Sequence, residues 1–230
     1  MGLSRGTIIW DFDGTLARRD FQWPKVFVEV LSSVNESHSV TEEQAHQKLK
    51  AGLPWHMPED NLVHRVDSHT WWNRMEGAFA DIYTQLGHAE HAEVLAKKVH
   101  QTAVRFDDYE IYSDVLPALS ACADDGWHQV ILSNHMPDLP DMVEGLCLSD
   151  YFYSIFTSAS LGYSKPNPAI FQKVLASLPS TENVWMIGDS YEADILGAQS
   201  VDVPSVLVRS TTGRHTHEAE DLTQALKFLA

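Results

Sequence analysis

The 230-residue chain carries 32 Asp and Glu against 16 Lys and Arg, a formal net charge of −16, which argues against a broad nucleic-acid or anionic-membrane surface. With 44% hydrophobic and 21% charged residues, its composition is that of a soluble globular protein, long enough for one large domain or a domain plus an insert. No apolar run approaches the roughly 20 residues that a membrane span needs. Met1-Gly2-Leu3-Ser4-Arg5-Gly6 leads straight into the first apolar run, which leaves no room for a signal peptide.

Five apolar, β-branched runs read as strands in chain order: residues 7–11, 129–133, 153–157, 184–187 and 205–208. Helical spacing is expected over 114–125, 138–146, 168–178 and 192–200, with a last amphipathic helix over 218–229. Strands alternating with helices predict an α/β protein with a doubly wound parallel sheet. Roughly a hundred residues separate the first two strands, far more than a crossover needs. That stretch has helical composition over 24–34, 41–51, 68–86 and 89–105, and Thr41-Glu42-Glu43-Gln44 has the form of a capping box. Residues 52–60, with Pro54 and Pro58, read as a loop. The expected organisation is a core domain of residues 1–17 and 106–230, carrying a helical insert over 18–105. Cys122 and Cys147 match no metal spacing, lie among apolar residues and read as buried free thiols of a reducing compartment. The 12 histidines form no tract and read mostly as surface residues.

The most informative stretch is Thr7-Ile8-Ile9-Trp10-Asp11-Phe12-Asp13-Gly14-Thr15-Leu16. A buried strand here delivers two carboxylates to its C-terminal end, where they would repel by about 4 kcal/mol at 4 Å in a surface-like dielectric. Such a pair is kept where a cation or a substrate proton makes use of it. Three further groups fall at strand ends, where open parallel sheets bind ligands. They are Ser133-Asn134 after Val130-Ile131-Leu132, Lys165 in Ser164-Lys165-Pro166-Asn167-Pro168, and Gly188-Asp189-Ser190 with Asp194 five residues beyond Asp189. Each alone has an ordinary reading: a turn serine, a solvated lysine, an aspartate at a helix start. The ordinary readings lose because all would have to coincide at strand ends in one order.

In that order and spacing the four motifs resemble those of the haloacid dehalogenase-like superfamily, from Thr7 to Gly197, and the helical insert lies where its subclass I carries an α-helical cap. The resemblance implies a Rossmann-like core and, for most members, a Mg2+-dependent phosphatase. It casts Asp11 as the nucleophile that forms an aspartyl-phosphate, and Asp13 as general acid and base. Ser133, Lys165 and the backbone N–H groups of Phe12 and Asn134 take the phosphoryl oxygens. The metal falls to the Asp11 carboxylate, the Asp13 carbonyl and Asp189, with Asp194 as an outer residue that orients Lys165 or a metal-bound water. Asp13 argues against the dehalogenase and phosphonate-cleaving branches, which lack an acid there. It does not separate phosphatase from phosphomutase, and a non-catalytic binding protein on the same fold would be expected to show a degraded site.

Substrate contacts are expected from residues 17–23 and from the insert, where Trp55, His56, Arg65, His69, Trp71, Trp72 and Arg74 concentrate. An arginine there suits a second anionic group and a tryptophan a stacked ring, although at least one of the adjacent Trp71 and Trp72 should pack inward. The resulting expectation is a cytoplasmic hydrolase of a small phosphorylated metabolite, monomer or homodimer, with no nucleic-acid or membrane partner.

Overall fold

The computed structural model describes residues 5–52, 68–179 and 182–229, and divides into two compact units, Met1–Arg19 with Tyr109–Ala230, and Asp20–Asp108. The first unit is built on β1 (Gly6–Trp10), β4 (Trp127–Ser133), β5 (Ser154–Thr157), β6 (Val184–Gly188), β7 (Ser205–Val208) and β8 (Glu218–Ala219). They form one six-stranded sheet in the order β5-β4-β1-β6-β7-β8, every pair parallel. β1 lies between β4 and β6, so the strand order reverses on either side of it, and the crevice at its C-terminal end is the place where such sheets bind ligands.

Both faces of the sheet are covered, which is why β1 reads as an unbroken apolar run with all five residues buried. On one face Ile9, Val130, Leu132 and Met186 pack with Ile170, Phe171 and Val174 of α8 (Pro168–Leu175) and Ala198 of α9 (Gly197–Gln199). Each such fully buried Ile or Phe contributes about 1.5–3 kcal/mol. Asn167 caps α8 by accepting from the Ala169 N–H at 2.9 Å. On the other face α5 (Val115–Asp124) presents Val115, Leu119 and Cys122. There the buried Gln129 accepts from the Trp10 indole at 3.1 Å and donates to the Leu119 carbonyl at 3.0 Å, so neither polar side chain is left unpaired. The remaining helices are α6 (Leu139–Gly145), α7 (Ser158–Leu161) and α10 (Leu222–Ala225).

Between β1 and α5 the chain makes a small antiparallel ribbon, β2 (Ala17–Arg18) against β3 (Glu110–Ile111), closed by an Arg18–Glu110 ion pair at 2.7 Å. Arg209, just past β7, locks this corner. Its guanidinium donates to the Thr15 carbonyl at 3.0 Å and to Asp114 at 2.8 Å, and lies 3.8 Å over the Tyr112 ring. Asp114 also accepts from the Leu222 N–H at 2.7 Å.

The second unit is helical: α1 (Trp23–Ser32), α2 (Glu42–Gly52), α3 (Ser68–Gln85), a 3-10 turn (Ala89–His91) and α4 (Ala92–Ala103). The capping box at α2 is formed, with Gln44 N–H on Thr41 Oγ1 at 3.3 Å and Thr41 N–H on Gln44 Oε1 at 2.9 Å. An aromatic core holds the unit. Phe27 stacks on Tyr83 at 4.8 Å, Phe79 meets Phe27 edge-on at 5.2 Å, and the Tyr83 hydroxyl donates to the Phe27 carbonyl at 2.9 Å. Trp72 is buried and stacks on His100 at 3.6 Å, with Trp71 against its edge. Trp72 is therefore the inward-packing member of the pair. The expected loop over 52–60, together with Trp55, His56 and Arg65, lies outside the described residues except for Gly52, which ends α2.

Three local expectations need correction. The tail begins as a sixth strand, β8, before the short α10, because Glu218 accepts from the N–H groups of Gly213 and Arg214 and folds the chain back against β7. Residues 191–196 form a π-turn rather than a regular helix. Cys122 is buried, but Cys147 is exposed, at φ 58° just after α6. His135 is buried.

Burial alone would raise the Asp114 pKa, but the Arg209 guanidinium and the Leu222 N–H outweigh it and hold the carboxyl below its ordinary value. Asp114→Ala should reduce stability by about 1.5–3 kcal/mol, the range for hydrogen bonds to charged groups. Because the folded pKa is depressed, the contribution is present above the unfolded value of about 4 and lost as pH falls through the folded one. Urea unfolding at pH 7 and pH 3 checks both points; an equal loss at the two values would refute the account.

Candidate active site

β1 ends at Trp10, and the chain then turns so that the Phe12 carbonyl accepts from the N–H groups of Thr15, Leu16 and Ala17. Asp11 is carried at the end of the strand, its N–H donating to the Ile187 carbonyl of β6 at 2.9 Å. Gly14 sits at φ 85°, and a Cβ there would overlap the Asp189 carboxylate, so the turn needs glycine on both counts.

Asp11 is buried and receives Lys165 Nζ on Oδ1 at 2.7 Å. The same ammonium donates to Asp194 Oδ1 at 2.6 Å. Lys165 is itself held by Asn134, whose side-chain amide donates to the Lys165 carbonyl at 2.9 Å and accepts from its N–H at 2.7 Å. The π-turn after β6 places Asp194. The Ser190 carbonyl accepts from the N–H of Asp194 at 2.9 Å and from that of Ile195 at 3.3 Å, while the Asp194 Oδ2 accepts from the Ser190 N–H at 3.0 Å. Gly188 leaves the space that the Asp194 carboxylate occupies.

Asp189 completes the cluster. Carboxylate oxygens of Asp11, Asp189 and Asp194 lie within 4.8 Å of one another, and the buried Thr15 hydroxyl is 3.4 Å from both Asp11 Oδ2 and Asp189 Oδ1. Three carboxylates around one ammonium leave two negative charges when all are ionised. Burial and the neighbouring Asp11 push Asp189 up to about 7; burial raises Asp194 to about 6, with Lys165 opposing the rise. Lys165 goes the other way: burial disfavours its charge, but Asp11 and Asp194 outweigh burial and raise its pKa. The donor set is hard oxygen and its surplus charge is that of a divalent cation, so these residues fit a Mg2+-like ion.

Asp13 lies apart from this cluster. Its side chain is partly exposed, with Oδ1 accepting from the Tyr109 hydroxyl at 3.0 Å and Oδ2 lying 3.6 Å from His135 Nε2. Tyr109 and His135 also bond to each other at 3.0 Å, and the Phe12 ring packs edge-on against both. Ser133 is buried at the end of β4, where the pairing of Trp10 with Ile131 brings it level with the turn after β1. Sequence reasoning brought out neither Tyr109 nor His135. The position of His135 directly after Ser133-Asn134 was the available signal.

This sheet with its strand-end cluster defines the Rossmann-like fold of the haloacid dehalogenase-like hydrolases. Residues 6–202 match that family's description, haloacid dehalogenase-like hydrolase, and the chain belongs to this family. It is 28% identical over 218 residues to haloacid dehalogenase-like hydrolase domain-containing protein 3 of Danio rerio, covering 91% of this chain and 87% of that protein. It is 28% identical over 136 residues to phosphoserine phosphatase of Thermus thermophilus, covering 58% of this chain and 53% of that one. Among solved structures, the magnesium-bound HAD-hydrolase YfnB of Bacillus subtilis superimposes with a TM-score of 0.67 over 99% of both chains at 18% identity.

Raised carboxylate pKa values have a consequence for stability. Where the folded value exceeds the unfolded one, the contribution is fully present below about pH 4 and is lost as pH rises through the folded values of about 6 and 7. The metal-free protein should therefore melt lower at pH 8 than at pH 5, and millimolar Mg2+ should recover the difference at pH 8. Asp189→Asn should flatten the dependence. A melting temperature that Mg2+ leaves unchanged at pH 8 would count against the cluster as a cation site.

Proposed function

We propose that this hydrolase removes phosphate from a small phosphorylated metabolite, with Mg2+ as cofactor and an aspartyl-phosphate on Asp11 as intermediate. The observation that carries the reading is the separation of the two carboxylates on one turn: Asp11 buried and held by Lys165, Asp13 partly exposed and outside the acidic cluster. A departing halide needs no proton, whereas a departing alkoxide does. A second carboxyl beside the nucleophile therefore suits ester cleavage at phosphorus better than carbon–halogen chemistry. The name of the Thermus relative, a phosphatase, and the magnesium in the description of the Bacillus structure point the same way.

On this reading an Asp11 oxygen attacks phosphorus while the ester oxygen departs with the proton of Asp13. Asp13, now ionised, takes a proton from water as that water attacks the phospho-aspartate, and Asp11 is regenerated. Lys165 fixes Asp11 and offers its charge to the phosphoryl oxygens. Ser133 and the N–H groups of Phe12 and Asn134 donate to those oxygens, and Asp194 keeps Lys165 in place. Mg2+, held by Asp11, the Asp13 carbonyl and Asp189, would supply neutralisation of the transferring group's charge.

Phosphate release from a panel of phosphomonoesters should require Mg2+, stop in EDTA and fall at least about 10³-fold in Asp11→Asn. Asp189→Ala should shift the Mg2+ titration to higher concentration. Equal rates in the wild type, with EDTA and in Asp11→Asn, or phosphoryl transfer without net phosphate release, would overturn the proposal.

A further inference from the structure

The geometry points to Tyr109 and His135 as positioning residues that hold the Asp13 carboxyl in the orientation its proton transfers require; this rests on Asp13 being the proton shuttle proposed above. Asp13 stands on a turn with its side chain 46% exposed, so its torsions have little packing to fix them. Each of its oxygens nevertheless faces one partner, the Tyr109 hydroxyl at 3.0 Å on Oδ1 and His135 Nε2 at 3.6 Å from Oδ2. Those partners are fixed. His135 is buried, with Nδ1 at 3.2 Å from the Met136 carbonyl, and its own carbonyl accepts from the Ala159 N–H and the Ser158 hydroxyl, both at 3.3 Å. Tyr109 is 8% exposed, its ring wedged between the edge-on Phe12 ring at 5.2 Å and the Arg19 guanidinium at 4.6 Å.

The choice of a hydroxyl has a chemical reason. A group that serves as acid in one step and base in the next must be held in both forms. A phenol donates to an oxygen of the carboxylate and equally to the carbonyl oxygen of the carboxylic acid, so it keeps one orientation through the cycle and leaves the acid's own proton for the leaving group. A cation in its place would favour the carboxylate and deplete the protonated form that the leaving group needs. Proton transfer depends on hydrogen-bond geometry at the few-tenths-of-an-ångström level, so a carboxyl free to rotate would lose much of its advantage.

The test is Tyr109→Phe, which removes one oxygen from a buried ring, assayed at saturating Mg2+ with p-nitrophenyl phosphate and with a simple alkyl phosphate. The quantity kcat/KM reports the step in which the leaving group departs, and only the alkyl ester needs a proton there. We expect kcat/KM for the alkyl ester to fall by about 10–100-fold, a part of the roughly 10²–10⁴-fold that general acid catalysis supplies. The p-nitrophenyl ester should change less than about threefold, and a double variant with Asp13→Asn should lose no more than Asp13→Asn alone. His135→Asn, whose shorter amide does not reach the position of Nε2, should show the same selective pattern more weakly. Equal losses on both substrates, or none, in Tyr109→Phe while Asp13→Asn remains selective would overturn the positioning role alone. Absence of selectivity in Asp13→Asn would overturn the shuttle assignment, and the positioning role with it.

Discussion

One buried ammonium organises this molecule. Lys165 is almost wholly buried, and it is tolerable inside the protein only because Asp11 and Asp194 take its charge at 2.7 and 2.6 Å. Removing one partner from such a group typically costs about 3–5 kcal/mol, because the other charge is left uncompensated. Three separate pieces of chain must therefore agree on one point: the end of β1, the turn after β6 and the loop before α8. Asn134, at the end of β4, fixes the backbone of that loop with two hydrogen bonds. The ends of β1, β4 and β6 and the loop before α8 are thus tied by polar contacts at the C-terminal end of the sheet, while the apolar packing of Ile9, Val130, Met186 and Phe171 ties them from beneath.

The same arrangement leaves the site charged in a directed way. Lys165 offsets one carboxylate's worth of charge and leaves Asp189 beside Asp11 without a cation of its own. The site then stores repulsion of the kind that a divalent ion would relieve. Such stored repulsion is tolerated where a ligand makes use of it, and the close packing of the carboxylates requires glycine both at 14, in the turn after β1, and at 188, the last residue of β6, where a Cβ would enter the space that Asp189 and Asp194 take.

Much of this was legible in the chain. The strands at 129–133, 184–187 and 205–208 announce themselves because buried parallel strands are continuous β-branched runs, and the residues the structure gathers around Lys165 are those that follow such runs. What stayed hidden depends on contacts between distant positions. Tyr109 is distinguished by what lies beyond its hydroxyl, 96 positions earlier in the chain. His135 reads as one more polar residue after a strand, although its ring is buried against Tyr109. Arg209 looks like an ordinary surface cation, yet a left-handed backbone at φ 58° turns it onto Tyr112 and Asp114. Cys147 sits among apolar letters but falls at a helix end, where the turn lifts it to the surface. The π-turn at 191–196 has a helical composition; the five-residue step from Ile195 back to Ser190 follows from the demand that Asp194 reach Lys165.

The chain leaves the sheet unit through Ala17–Arg18 and returns through Glu110–Ile111, and these segments pair with each other. Arg19 and Tyr109, the last residue out and the first one back, stack on one another within that same unit. The two crossing points thus form a closed neck, and everything between them is, topologically, a loop whose closure free energy grows only slowly with length. A helical module of another size or sequence can occupy that loop without altering the register of a single core strand. Evolution can then exchange the helical module while inheriting the residues gathered around Lys165 unchanged. Diversity on this scaffold becomes a matter of grafting at the neck rather than of rebuilding the sheet.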